Sequence, residues 1–207
     1  MSWTLFGMFL IAGAVVAAAP GPTVLQIFAH SMSRDPRRPA SLIAGSIFAN
    51  TLMVAATVLG VSALILASQT AFTVLRWVGS AYLIYLGIHY WRMRVESLSA
   101  ARPAAARPYK VLFVQAALTS LTNPKGLVFY VAFLPQFVAP GGDAPLQLAI
   151  LGAAYIGLCL VADVGYALAG SAFSGLLMTE RAVRIRNRLT GTVFIGAGLS
   201  LLRYERA

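Results

Sequence analysis

Two long stretches of this chain contain no charged residue, and this feature limits the folds that the chain can adopt. They run from Trp3 to Phe28 and from Ala40 to Ala67, over 26 and 28 residues. A helix of about 20 apolar residues crosses the hydrocarbon core of a bilayer. Inside lipid, a helix also satisfies every backbone polar group of such a stretch. The sequence therefore predicts an all-α polytopic membrane protein.

Four further apolar runs follow along the chain. They cover about Val74–Trp91, Val111–Val138, Leu146–Met178 and Leu189–Leu202, and the last is short for a membrane span. Six helices would use most of the 207 residues. We therefore predict a single transmembrane domain of about six helices, with little room for a soluble domain.

The composition disfavours most other classes of protein. Apolar residues make up 59% of the chain and charged residues 11%, with a mean hydropathy of +0.78. A soluble domain carries about 25% charged residues, so a soluble enzyme, a nucleic-acid-binding module and a disordered chain are all disfavoured. The net charge of +10 comes from basic residues between the apolar runs, which does not favour nucleic acid as a partner.

Basic residues concentrate in alternate connections between the apolar runs, and this distribution predicts the orientation. The first, third and fifth connections contain Arg34, Arg37 and Arg38; Arg92, Arg94, Arg102, Arg107 and Lys110; and Arg181, Arg184, Arg186 and Arg188. Connections rich in Lys and Arg face the cytoplasm. Both termini then face the other side of the membrane if all six runs cross it, whereas the C-terminus is cytoplasmic if the sixth does not.

Proline interrupts two of the apolar runs. The first run contains Pro20, Gly21 and Pro22, and the fourth contains Asn123, Pro124, Lys125 and Gly126. Proline removes a backbone donor and clashes with the preceding turn, so each helix must kink or unwind there. In lipid, such breaks are tolerated only inside the protein or beside water.

The two breaks divide the chain into halves of opposite topology. Residues 1–92 and 111–207 each contain three runs and begin with the broken one, and a cytoplasmic loop over about 92–110 separates them. Interrupted helices at matching positions of two inverted repeats indicate a transporter binding site. The predicted substrate path comprises Pro20, Gly21, Pro22, Thr23, Asn123, Pro124 and Lys125.

Asp163 is the acid that lies well inside a predicted span. A charged carboxylate at the bilayer centre costs at least ~2.5–3.5 kcal/mol, so this group is a candidate proton carrier. The alternatives are a permanently protonated structural aspartate and an ion pair with Lys125. The Lys125 ammonium could equally meet a substrate carboxylate or extend to the interface. Asn50, Tyr82 and Tyr85 are candidates to line a cavity, with hydrogen bonding between helices as the alternative for Asn50 and packing as the alternative for the tyrosines.

The sequence contains no motif that indicates an enzyme. It has no signature of a hydrolase, a zinc peptidase or a nucleotide-binding loop, and it has two histidines and one cysteine, Cys159. We therefore expect no catalytic residue, no cofactor and no metal site. Two other functions stay open. One is the export of a metal ion or another small solute on the same architecture, and the other is a non-transporting membrane scaffold.

A set of motifs in order along the chain resembles the lysine exporter (LysE/RhtB-type) family. The motifs are Pro20-Gly21-Pro22, the run Gly79-Ser80-Ala81-Tyr82-Leu83-Ile84-Tyr85-Leu86-Gly87, Asn123-Pro124-Lys125-Gly126, Arg188-Leu189-Thr190-Gly191, Phe194-Ile195 and Gly198-Leu199. The family's first cytoplasmic connection is commonly rich in glycine, whereas here it is the stiffer segment Ser33–Pro39.

The resemblance implies a bacterial inner-membrane protein that exports amino acids or close derivatives as a secondary transporter, by proton antiport. It implies that the Pro-Gly-Pro and Asn-Pro-Lys segments mark the transport path, and that Asp163 matches an acid often found in the family's fifth helix. Small residues in the second, fifth and sixth runs would let helices approach closely, and they leave a homodimer open.

Overall fold

The computed structural model describes residues 3–33, 35–67, 69–93, 107–139, 142–172 and 179–203, and every regular element in these ranges is helical. The all-α prediction is therefore confirmed. The elements are α1 (Trp3–Ala18), α2 (Pro22–Ser31), α3 (Arg37–Ala67), α4 (Gln69–Arg92), α5 (Tyr109–Leu121), α6 (Pro124–Val128), a π-helical turn (Phe129–Phe133), a 3₁₀ turn (Leu134–Phe137), α7 (Ala144–Ala172) and α8 (Glu180–Arg203).

Two of the described helices, α3 and α7, are long and apolar enough to cross a membrane by themselves. The pair α1 and α2 passes the same test when it is taken as one bent span, and α5 is a shorter apolar helix. These elements correspond to the first, second, fourth and fifth predicted runs. The structure thus agrees with a membrane protein, while the total of six spans stays a prediction.

Both predicted helix breaks are present. At the first, α1 and α2 are bent by 59°, and Gly21 between them has an extended backbone because it precedes Pro22. At the second, Asn123 is extended in front of Pro124, and its Oδ1 accepts a hydrogen bond of 3.0 Å from the Lys125 backbone N–H. Each break therefore ends one helix and begins another with proline in its first turn.

The predicted start of the sixth run was wrong, because α8 begins at Glu180 rather than near Leu189. Arg181 and Arg184 therefore lie on a helix and not in a connection. They are exposed, while Val183 and Asn187 of the same turns are buried. This is the alternation of an amphipathic helix, and an inspection for apolar runs alone overlooks it. The predicted loop residues 94–106 and the predicted end of the fifth run, 173–178, lie outside the described residues.

The helices α4 and α8 pack closely along one line of small residues. A Cβ atom on Gly87 would lie 2.7 Å from the carbonyl oxygen of Gly191, and a Cβ atom on Gly191 would lie 2.6 Å from that of Gly87. Further along, the Ser80 hydroxyl donates to the Gly198 carbonyl. Glycine is required at Gly87 and Gly191 because the two backbones approach so closely that no side chain fits between them.

An aromatic core holds the remaining helices around the π-helical turn. The Phe129 ring stacks on Tyr155 of α7 with centroids 3.6 Å apart, and Phe9 of α1 and Phe194 of α8 are fully buried in the same cluster. The helix α3 packs against α5 and α7, and α7 packs against α1 and α2. This arrangement brings both breaks between α3 and α7.

A polar contact outside the predicted spans joins the first connection to the start of α5. The Asp35 carboxylate accepts a hydrogen bond of 2.9 Å from the Tyr109 hydroxyl, and Arg38 lies 3.4 Å away. The hydrogen bond from Tyr109 and the nearby Arg37 N–H and Arg38 hold the pKa of Asp35 below its usual value. The carboxylate is therefore charged at neutral pH and links the two halves of the chain.

We predict that Gly191→Val destabilises the fold, because its side chain would separate α4 from α8. Overpacking of this kind costs about 1–3 kcal/mol. Gly196→Val on the same helix is the matched control, since no atom lies within 4 Å of a Cβ there. The measurement is the thermal unfolding midpoint of the detergent-solubilised protein, followed by tryptophan fluorescence. Equal midpoints for the two variants would contradict the close approach.

Candidate functional site

A cavity lies where the two helix breaks meet. Its empty volume is about 500 Å³, including the open space at its mouth. Six helices and the two breaks contribute its lining: Ala17, Gly21, Thr23 and Val24; Ser46 and Asn50; Ser120, Asn123, Lys125 and Gly126; and Tyr155, Cys159 and Asp163.

The two breaks are in direct contact although nearly 100 residues separate them in the chain. The Thr23 and Ser120 hydroxyl oxygens lie 3.0 Å apart and are buried. One turn further, the Gln26 amide nitrogen donates a hydrogen bond of 3.1 Å to the Thr119 hydroxyl. A Cβ atom on Gly21 would lie 3.3 Å from the Asn123 amide nitrogen, so glycine allows the breaks to approach.

The Lys125 ammonium is bound to the end of α1. Its Nζ donates hydrogen bonds of 3.1 Å to the Val16 carbonyl and 2.9 Å to the Ala19 carbonyl. The last carbonyls of a helix lack N–H donors within the helix, and their partial negative charge favours a cation. Lys125 therefore caps α1 from the other half of the chain.

Lys125 forms no ion pair with the acid in the same cavity. No oxygen of Asp163 lies within 4.0 Å of Nζ, so of the interpretations left open for Lys125, the ion pair is wrong. The ammonium also points into the protein and not to the interface, because its side chain is buried.

Two further side chains satisfy the end of α1. The Tyr166 hydroxyl donates a hydrogen bond of 2.6 Å to the Ala18 carbonyl, and the Thr190 hydroxyl donates one of 3.4 Å to the Val15 carbonyl. The end of this helix is thus held by groups from α6, α7 and α8. Backbone groups that the break frees are paired inside the protein, as a low-dielectric environment requires.

Asp163 faces the cavity from α7. Its side chain is 4% exposed, and its Oδ2 has no hydrogen-bond partner. The Ser46 hydroxyl and the Lys125 ammonium act electrostatically on this carboxyl group. A buried carboxylate oxygen without a partner is costly, so this atom is available to a proton or to a ligand that enters the cavity.

The LysE type translocator family matches residues 14–205 of this chain through its sequence model. The chain belongs to this family. The predicted family resemblance is therefore confirmed, and the protein is a transporter rather than an enzyme.

Several relatives of this LysE type translocator match almost its whole length. A homoserine/homoserine lactone efflux protein of Salmonella typhi is 28% identical over 206 residues, which are 99% of this chain and 100% of that protein. A leucine efflux protein of Salmonella typhimurium is 25% identical over 198 residues, 94% of this chain and 91% of that protein. An uncharacterized membrane protein of Vibrio cholerae is 30% identical over 193 residues, 93% and 94% of the two chains. No solved structure matches the chain.

The structure brings most of the predicted site residues of this translocator together. The residues that line the cavity are Gly21, Thr23, Asn50, Asn123, Lys125 and Asp163. The prolines Pro20, Pro22 and Pro124 flank the lining and shape the breaks.

Tyr82 and Tyr85 lie elsewhere, on an exposed face of α4, where their rings are 5.7 Å apart. They do not reach the cavity because the opposite face of α4, with Leu83 and Leu86, forms the buried contact.

Four lining residues with polar side chains were not predicted from the sequence, although helical spacing was a signal for three of them. Tyr155 and Cys159 precede Asp163 by eight and four residues, so all three lie on one face of α7. Ser46 precedes Asn50 by four residues on α3 in the same way. Ser120 stands alone at the end of α5, and no pattern marks it.

We predict that Tyr166→Phe destabilises this translocator, because the partly buried Ala18 carbonyl would lose its donor. The expected cost is about 1–3 kcal/mol. Tyr82→Phe removes the same hydroxyl from an exposed ring and should leave the thermal midpoint unchanged. The measurement is the thermal unfolding midpoint of the two variants and the wild type in one detergent. A midpoint for Tyr166→Phe that equals the wild-type value would show that the hydrogen bond does not contribute to the stability of the fold.

Proposed function

We propose that this protein exports amino acids with uncharged side chains, or close derivatives of them, across the bacterial inner membrane in exchange for protons. The observation that carries the proposal is the cavity between two broken helices with a buried acid whose Oδ2 is unpartnered. The proposal draws its substrate class from the relatives that are named as homoserine/homoserine lactone and leucine efflux proteins.

The start of α2 provides donors for a substrate carboxylate. Its first residue is Pro22, which has no N–H, and Leu25 donates to the Gly21 carbonyl. The N–H groups of Thr23 and Val24 come before the first possible intrahelical bond, and both residues line the cavity. A positive helix end directed at a substrate carboxylate is a recurring feature of transporters with broken helices.

The substrate ammonium is assigned to Asp163 in this proposal. The carbonyl end of α1 already binds Lys125 and the hydroxyls of Tyr166 and Thr190, so it has little capacity for a second cation. Asp163 has a free oxygen, and Asn50 adds an amide to the same wall. The ammonium and carboxylate groups of one amino acid would therefore be bound on opposite sides of the cavity.

Proton exchange follows from the same assignment. An ionised Asp163 holds the substrate ammonium on the cytoplasmic side. On the outer side, a proton that binds the carboxyl removes its charge and releases the substrate. The protonated carboxyl returns to the cytoplasmic side and releases its proton there, and the ionised carboxylate is then free for the next amino acid. One proton enters for each substrate that leaves, and both compete for the same oxygen.

The proposed architecture has six spans in two inverted halves, about 1–92 and 111–207, with the basic connections in the cytoplasm. Its support is that equivalent helices of the two halves make equivalent contacts. The second helix of the first half, α3, packs against α5 at the start of the second half, and the second helix of the second half, α7, packs against α1 and α2 at the start of the first. The third helix of one half, α4, packs against that of the other, α8. Alternating access would come from movement of one half against the other around the cavity.

A metal-ion exporter is the second candidate, and the chemistry of the cavity favours it less. Hard cations prefer six or more oxygen ligands, usually with several carboxylates. Among the described residues, no three His, Cys, Asp or Glu side chains come together. Asp163 is the acid among the lining residues.

We predict that Asp163→Asn abolishes proton-driven efflux, because an amide neither releases a proton nor neutralises an ammonium. The measurement is the release of preloaded labelled homoserine, leucine, lysine and glutamate from cells that express the protein, with and without a protonophore. Wild-type cells should release homoserine or leucine faster than cells with an empty vector. The variant should match the empty vector while its amount in the membrane is unchanged.

The matched control is Asp143→Asn, which makes the same replacement at an exposed position. Asp143 accepts the Leu146 N–H at the start of α7, and asparagine fills that role equally well. Normal efflux by Asp163→Asn would remove Asp163 from the mechanism. Release of none of the four amino acids would refute the proposed substrate class.

A further inference from the structure

The feature that carries a further inference is the buried ammonium at the end of α1. Transporters with broken helices use the carbonyl oxygens of unwound backbone and of helix C-termini to hold a coupling cation such as Na⁺. In this chain, those oxygens hold a side chain of the protein. We infer that Lys125 is a built-in cation, which occupies the position where a sodium-coupled transporter would bind a free ion.

The geometry of the α1 end supports this assignment. Nζ lies 3.1 Å from the Val16 oxygen and 2.9 Å from the Ala19 oxygen, and the ammonium is buried. The carbonyls of Val15 and Ala18 accept from the hydroxyls of Thr190 and Tyr166. Four carbonyls of the break are thus satisfied by donors of the protein, and a metal ion would have to displace the ammonium to reach those of Val16 and Ala19.

The hydrogen bonds from Lys125 to the end of α1 have a second effect, which follows from the position of Lys125 in the chain. Its backbone begins α6, where the Asn123 side chain holds its N–H, so one residue connects the break of the second half to that of the first. Lys125 is therefore a positioning residue, and the earlier expectation of direct substrate contact is replaced.

The titratable groups that act on the Lys125 ammonium are Asp163 and Cys159, both on α7. Loss of the Asp163 proton adds a negative charge next to the ammonium without any free ion. The built-in cation thus fits the proposed exchange of substrate for protons, and it is only this coupling role that rests on the proposed function.

The first test uses the wild-type protein. Its thermal midpoint in detergent, and its transport in proteoliposomes with an imposed proton gradient, should be the same in sodium, potassium and N-methylglucamine chloride. A midpoint that sodium raises, or a transport rate that falls severalfold when sodium is removed, would overturn the inference. Because this test uses only the wild-type protein, it tests the inference even if Lys125 variants do not fold.

The second test empties the proposed position. Lys125→Ala removes the ammonium and three carbons, and the buried carbonyls lose their donor. The expected result is a midpoint lowered by roughly 5–10 °C, which sodium or propylammonium chloride partly restores and N-methylglucamine chloride does not. Lys125→Arg keeps the charge and should lose less than half as much. Lys110→Ala is the control, because Lys110 is exposed at the start of α5.

Two results of the second test would overturn the inference. One is a midpoint for Lys125→Ala that equals that of Lys110→Ala. The other is a lowered midpoint that no small cation restores, since Lys125 would then be an ordinary structural side chain. The unfolding measurements do not depend on a substrate. If wild-type protein releases no amino acid but behaves as expected in the unfolding tests, the export proposal fails while the built-in cation stands.

Discussion

The structure depends on how the backbone groups freed at the end of α1 find partners away from water. An unpaired backbone group costs several kcal/mol in hydrocarbon. The break at Pro20 is stable because Lys125, Tyr166 and Thr190 reach its carbonyls from three other helices. The same hydrogen bonds hold α6, α7 and α8 against α1. The interruption of one helix therefore fixes the positions of three others around it.

The polar cavity is a consequence of that arrangement. Side chains that satisfy two adjacent breaks must be polar, and they come from helices that surround both breaks. Thr23 and Ser120 join the breaks directly, while Asp163 is left with an oxygen that nothing binds. One physical requirement therefore produces both a stable interrupted helix and an interior surface where a polar solute can replace water.

The sequence predicts the breaks and the acid well, because proline and a charge in an apolar run are local signals. It cannot predict the partner of Lys125, because the acceptors are backbone carbonyls more than 100 residues away that no side-chain pattern marks. The start of α8 was missed because its first turns are polar on one face. Tyr82 was misplaced for a related reason, since nearly every face of α4 is apolar, and composition does not reveal which face turns inward.

The contact between Gly87 and Gly191 has a mechanical consequence. The two backbones approach so closely there that sliding one helix past the other would drive each carbonyl oxygen into the next turn of its neighbour. Because α4 and α8 belong to different halves of the chain and also meet where the Ser80 hydroxyl donates to the Gly198 carbonyl, this line of contact fixes how far one helix can shift along the other.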